Sequence, residues 1–231
     1  MNINELKKQA AEKAVEQVES DMVLGLGTGS TTNYAIEKIA ELLKSGNLSN
    51  IKGIPTSKTT EELARKLNIP LTNFDEVQEI DLTIDGADEV DENLNLIKGG
   101  GGALLREKVV AQASKKKIII VDESKLSKNL GEKWHVPIEV LKFAVELEKS
   151  YLEAFGAEVW LRKNKEGEPY VTDEGNLILD ANFGVIESPR DLDIKLDLRA
   201  GIVEHGLFIG LASEVIVASA DGIKSLKKEN F

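Results

Sequence analysis

Three short apolar runs in this chain break off into clusters of glycine or carboxylate, and stretches of helical period fill the gaps between them. Met22-Val23-Leu24 runs into GLGTGST (25–31), Ile80 to Ile84 runs into DGADEVD (85–91), and the β-branched run from Lys117 to Val121 ends in VDESK (121–125). Helical spacing appears over 4–20 through Leu6, Ala10, Ala14 and Val18, and over 31–44 through Ala35, Ile39 and Leu42. Ile51 to Ile54 reads as a further strand. SKTTEELARKLN reads as a helix opened by a Ser/Thr cap, and a helix is expected from about 103 to 114. Strands alternating with helices build βαβ units and a parallel sheet. Ligands of open α/β sheets bind beyond the carboxyl ends of the strands, so the glycine and carboxylate clusters are expected on one sheet edge.

The pattern changes after about Gly131. Strands are expected at 134–141 and 157–162, a helix at 144–155, a hairpin in YVTDEGNLILD turning at Glu174-Gly175, and a helix after Ser188-Pro189. Glu214 to Ser219 returns to a β-branched run, with a short final helix expected after it. The fold class is therefore α/β. A main parallel-sheet domain is expected over 1–131 plus 207–231, with a small inserted α+β domain, of ferredoxin-like type, over 132–206.

Composition narrows the chemistry. The 231 residues include no cysteine, which removes disulfides, thiolate metal sites and cysteine nucleophiles and suits a reducing compartment. No apolar run approaches the ~20 residues of a membrane span, and the charged N-terminal stretch lacks a signal-peptide core. A soluble, cytoplasmic protein without a membrane partner is expected. The formal net charge of −11 argues against a nucleic-acid partner. It does not argue against a small anion, which backbone N–H groups and one or two lysines hold locally.

Glycines after a strand let backbone N–H groups face a ligand, and the hydroxyls of Thr28, Ser30 and Thr31 add donors. The dinucleotide fingerprint fails at Ser30, and no lysine completes a Walker A loop. A tight strand-to-helix turn is the plain alternative, and the segment alone leaves both open. In DGADEVD, Asp85 and Asp88 flank Gly86 at the strand end and suit acid–base work or hydroxyl binding. Metal ligation by Asp85, Asp88 and Asp91 stays open, while Glu89, Asp91 and Glu92 read as a solvated acidic turn. Four successive glycines at 99–102 are costly in backbone entropy, so close approach to a ligand or a forced positive φ is the natural reading. Lys98 precedes them as a candidate oxyanion partner. Glu107 lies in the first turns of the next helix, and Arg106 and Lys108 read as surface residues. Lys125 follows the 117–121 strand, where it is a candidate phosphate partner or simply an exposed lysine. The two histidines, His135 and His205, show no zinc spacing and read as packed or surface residues.

The series GLGTGST, DGADEVD, KGGGGALLREK and VDESK, in this order and spacing, resembles type A ribose-5-phosphate isomerases over nearly the whole chain, from NELKK to ASADGIK. That resemblance implies a Rossmann-like domain with a smaller α+β domain, no metal and no organic cofactor. It implies a sugar-phosphate substrate and a homodimer or homotetramer. It places ligand contacts at Thr28, Gly29, Ser30, Thr31, Asp85, Gly86, Ala87, Asp88, Lys98, Gly99, Gly100, Gly101 and Lys125, with Lys7 as a further phosphate contact. Glu107 is implied as the base, with Asp85 and Lys98 assisting catalysis. Gly102 stands where many members carry alanine, which should loosen the loop. A non-catalytic sugar-phosphate sensor is the alternative, disfavoured by the acidic charge and by the roughly twenty residues ahead of the first strand. An acyl-CoA transferase is a second rival, which the lysines discriminate.

Overall fold

The computed structural model describes residues 2–227. In chain order its elements are α1 (Ile3–Val15), β1 (Val23–Leu26), α2 (Ser30–Ser45), β2 (Lys52–Pro55), α3 (Lys58–Lys66) and β3 (Ile80–Asp85). The short strands β4 (Glu89–Val90) and β5 (Leu96–Ile97), the helix α4 (Leu104–Gln112) and the strand β6 (Ser114–Asp122) follow. Next come β7 (Val136–Val140), α5 (Val145–Ala154), β8 (Glu158–Leu161), β9 (Leu177–Asn182), α6 (Pro189–Asp197) and β10 (Ile202–His205). The described residues end with β11 (Leu207–Phe208), β12 (Glu214–Ser219) and β13 (Gly222–Lys227). Among the described residues no helix is long and apolar enough to cross a membrane.

Two compact units result. The first holds the chain up to Ala87, then Arg106–Lys125, then the segment from Leu211 on; the second holds Asp88–Leu105 and Leu126–Gly210. The second unit thus takes in more chain than the 132–206 insertion read from sequence. The physical reason is pairing: β4, β5 and β11 form their own three-stranded sheet, in which Leu207 and Phe208 pair with Ile97 and Leu96.

The first unit is built on a six-stranded sheet in the order β13-β12-β6-β3-β1-β2. All neighbours are parallel except β12 and β13. The five parallel strands follow the doubly wound order 2-1-3-4-5, whose switch point lies between β1 and β3. Their apolar runs are buried on both faces: Leu24, Leu26, Leu82, Ile84, Ile118, Ile120, Ile216 and Ala218 share the face that joins α1 and α2 in one core, and Ile119, Val121, Val215 and Val217 are buried on the opposite face. The α1 helix starts where Asn2 Oδ1 accepts from Asn4 N (3.2 Å), and stops at Val15 rather than 20. Residues 16–18 tighten into i→i−3 bonds (Gln17 N to Ala14 O, Val18 N to Val15 O), and Asp21 turns the chain at φ +69°. The expected final helix is instead β13, an antiparallel partner of β12; residues beyond 227 lie outside the described ones.

The second unit folds β7-α5-β8-β9-α6-β10 into an antiparallel sheet of order β10-β7-β9-β8. This β-α-β-β-α-β topology, with the first and third strands central, is ferredoxin-like. The expected hairpin keeps its turn, with Gly175 at φ +85°, but its first arm shrinks to a single bridge between Val171 and Leu177.

Candidate active site

In the first unit the glycine motif and the carboxylate motif meet at the switch point. Asp85 ends β3 and is buried. Its Oδ1 accepts from Thr28 N (3.1 Å) and Gly86 N (2.7 Å), so one carboxylate ties the loop after β1 to the loop after β3. A Cβ on Gly27 would run into Asp85, which explains glycine there. Gly29 takes φ +120° and immediately precedes α2, which opens at Ser30. There the Lys7 ammonium donates to the Ser30 hydroxyl (3.0 Å). The α2 N-terminus, the Ser30 hydroxyl and the Lys7 cation form an arrangement suited to an anion. Thr31 lies in the first turn of the same helix, partly buried.

Sequence reasoning missed the partners of Thr28. Its hydroxyl lies 2.7 Å from Thr56 Oγ1, 2.8 Å from Ser57 Oγ and 3.2 Å from Thr60 Oγ1. Ser57 does cap α3, accepting from Thr60 N (3.0 Å), but it also belongs to this hydroxyl cluster. The signal was present as three hydroxyls within TSKTT beyond what a cap requires.

Glu107 is the fourth residue of α4 and is only 4% exposed. Its neighbour Lys108 is also buried, which corrects the surface reading. Arg106 is partly buried. Lys125 ends a single 3₁₀ turn after β6, partly buried; Asp122 fixes that turn by accepting from the N–H (3.0 Å) and the hydroxyl of Ser124. Gly86 and Ala87 complete the first unit's share of the expected site residues.

The second unit holds Asp88, Lys98, Gly99, Gly100 and Gly101. Gly99 lies at φ +93° and Gly102 at φ +83°, joined by Gly102 N donating to Gly99 O (2.9 Å). Asp88 Oδ2 accepts from Gly100 N (2.7 Å), and a Cβ at Gly100 would sit 2.8 Å from that carboxylate. Lys98 is 3% exposed, its N–H donates to Gly206 O (2.9 Å), and its ammonium lies 5.5 Å from the Phe208 ring centroid. Gly102 does not slacken the loop. A Cβ there would overlap the Tyr170 ring, so tyrosine fills the space, and its hydroxyl donates to Gly101 O (3.3 Å). Burial, then the Asp173 charge, push the Tyr170 phenol up, which keeps it a donor.

The acidic turn after Asp88 is not solvated, apart from the exposed Glu92. Glu89 is fully buried and accepts from Gly131 N (2.9 Å), Lys133 N (3.0 Å) and Trp134 N (3.3 Å). Asp91 accepts from Asn93 N, Asn95 N and Asn95 Nδ2, all within 2.9 Å. Both carboxylates are structural acceptors that close loops. Among the described residues the cluster with metal-like spacing is Asp193, Asp197 and His205. His205 Nδ1 accepts from Leu207 N (3.3 Å), which leaves the proton on Nε2, facing Asp197 Oδ1 at 3.1 Å. That tautomer suits a hydrogen bond rather than a metal ligand.

The family of ribose 5-phosphate isomerase A (phosphoriboisomerase A) matches residues 52–222. The ribose-5-phosphate isomerase A of Desulfatibacillum aliphaticivorans is 60% identical over 222 residues, covering 96% of each chain. A D-ribose-5-phosphate isomerase solved in complex with phospho-erythronic acid superposes with a TM-score of 0.97 at 45% identity, covering 99% of this chain and 100% of that one. The ribose 5-phosphate isomerase of Plasmodium falciparum gives a TM-score of 0.95 at 45% identity, over 98% of this chain and all of that one. With sequence and fold matched from end to end, the chain belongs to the ribose-5-phosphate isomerase A family.

Proposed function

We propose that the protein interconverts D-ribose 5-phosphate and D-ribulose 5-phosphate, an aldose–ketose isomerisation of the pentose phosphate pathway. The observation that carries this reading is the full-length match, at 60% identity, to an isomerase of that name. The chemistry asks for a base, an oxyanion partner and a grip on phosphate. Glu107 is the proposed base: it takes the proton from C2 of the open-chain aldose and returns it to C1, while the C2 hydroxyl proton passes to O1. Its burial in α4 supports the role, because a shielded carboxylate keeps a proton from exchanging with solvent. Lys98 and the Gly99–Gly101 backbone are proposed to stabilise the enediolate oxygen. Asp85 and Asp88 are proposed to hold sugar hydroxyls, with one of the two assisting ring opening. Their use as acceptors of loop N–H groups supports this, since it fixes each carboxylate in place.

The phosphate is proposed to bind at Gly29, Ser30 and Thr31, with Lys7 and Lys125. The Lys7–Ser30 bond at the start of α2 supports that placement. Thr28, Gly86 and Ala87 would shape the same pocket. None of these roles calls for a metal or organic cofactor. The decisive assay follows ribulose 5-phosphate formation from ribose 5-phosphate in EDTA. Full turnover is expected, and no turnover would remove the proposal. A cytoplasmic homodimer or homotetramer is part of the same reading. Exposed Phe143 and Leu147 supply apolar surface for assembly, which light scattering measures.

A further inference from the structure

We propose that Arg162 is a positioning residue for the isomerisation: braced by Asp180, its guanidinium sets the direction of the glycine loop's peptide groups. This rests on the reading of that loop as the oxyanion cradle.

Arg162 follows β8 and is 12% exposed at its side chain. Its Nε donates to Asp180 Oδ2 (2.9 Å) and its Nη2 to Asp180 Oδ1, a two-pronged pair on β9. The remaining nitrogen, Nη1, donates to Gly99 O (2.9 Å) and Gly100 O (3.1 Å). Asp180 also receives His135 Nε2 at 3.1 Å, and His135 packs against Trp134 and Trp160. Burial pushes the Asp180 carboxyl up, but the bonds from Arg162 and His135 outweigh it and hold it below the usual range. The counter-ion therefore stays charged at neutral pH.

Across a planar trans peptide, C=O and the following N–H point in opposite directions. Fixing Gly99 O on Arg162 therefore sends Gly100 N–H the other way, where Asp88 Oδ2 accepts it. Fixing Gly100 O likewise turns Gly101 N–H away from the guanidinium, and Gly101 is exposed. Tyr170 holds the next carbonyl, Gly101 O. Three consecutive peptides of a segment that glycine would leave soft thus each have their carbonyl held by a side chain from outside the loop. Lysine cannot reproduce this, because it lacks the rigid fork that grips a carboxylate and two carbonyls together.

The test uses the full chain as Arg162→Lys and Arg162→Ala, beside the wild type. Affinity is read for phospho-erythronic acid, whose carboxylate stands in for the enediolate oxygens, and for inorganic phosphate. A misaimed loop is expected to cost about 10–100-fold in kcat, and to weaken phospho-erythronic acid at least several-fold while leaving phosphate affinity unchanged. Millimolar guanidinium should restore part of the kcat of Arg162→Ala and none in Arg162→Lys. Arg162→Lys keeps a cation beside Asp180, so it reports even where the alanine variant does not fold. Wild-type kcat and analogue affinity in Arg162→Lys would overturn the clamp alone. A wild type that fails to bind phospho-erythronic acid would instead overturn the cradle reading beneath it.

Discussion

A side chain at Gly25 would collide with Thr83 and Val110, and one at Gly27 with Asp85, so the first glycine segment is glycine mostly because strands and loops press against it. In the second segment, Gly99 and Gly102 take positive φ, and the peptides are held by side chains from elsewhere in their own unit: Asp88, Arg162 and Tyr170. Close packing dominates in the first segment, Gly29 at φ +120° apart, whereas in the second it is joined by a set of polar tethers on successive peptides. Glycine-rich sequence therefore does not name one physical cause. Perturbing the first should chiefly cost stability, and perturbing the second should chiefly cost rate.

The sharpest check removes the chemistry and leaves both segments intact. Glu107→Gln is expected to lower kcat by about 10²–10⁴-fold with KM for ribose 5-phosphate nearly unchanged, in steady-state assays. Near-normal turnover would dismiss Glu107 as the base. Gly100→Ala pushes a methyl against the Asp88 carboxylate, and about a 10²-fold loss of kcat with little change in Tm is expected. If Tm collapses while residual kcat per folded molecule holds, the two segments do not differ as described. Gly25→Ala should do the reverse, because it overpacks a core strand at about 1–3 kcal/mol. Calorimetry should show a Tm lower by roughly 2–4 °C per kcal/mol, with kcat of the folded fraction preserved.

The smallest effect concerns the strap that carries Tyr170. Thr172 Oγ1 and Asn176 Nδ2 both donate to the Glu139 carboxylate (2.9 Å each). Burial pushes the Glu139 carboxyl up, against those two hydrogen bonds. A raised folded pKa means the folded state binds the proton more readily than the unfolded one. Stability then falls as pH rises from the unfolded value through the folded one, and levels off above it. Glu139→Gln should remove this slope. The variant should match wild type at acid pH and gain a few degrees of Tm at pH 8; equal Tm values throughout would show that Glu139 carries no such cost.

Much of the first unit was legible because β-branched runs and glycine clusters are local signals. Asp85, Lys98 and Glu107 stood out by their place next to those signals. What stayed hidden depends on partners distant in sequence. Nothing around Glu89 announces that Gly131, Lys133 and Trp134 will donate to it. Lys108 reads as one more helix lysine until the fold buries it. Arg162 and Tyr170 lie more than sixty residues from the loop they hold, and no periodicity links them to it. Their neighbours Lys163 and Lys165 look just as plausible on paper. The last strand was misread as a helix because GIKSLK is half polar, and its strand character comes from the β12 neighbour it pairs with.

That last strand has a consequence for how the protein behaves in a crowded solution. Every residue of β12 is buried, and without β13 its backbone would present a flat apolar border ready to template pairing with another molecule. β13 takes up that row and exposes Lys224, a cation that discourages a further strand from joining, while the Lys227 ammonium turns back to Glu214 of β12 at 3.8 Å. Trimming the chain before Gly222 would therefore leave the α2 start and the Asp85 tether untouched in sequence, yet make the molecule prone to stack through its sheet.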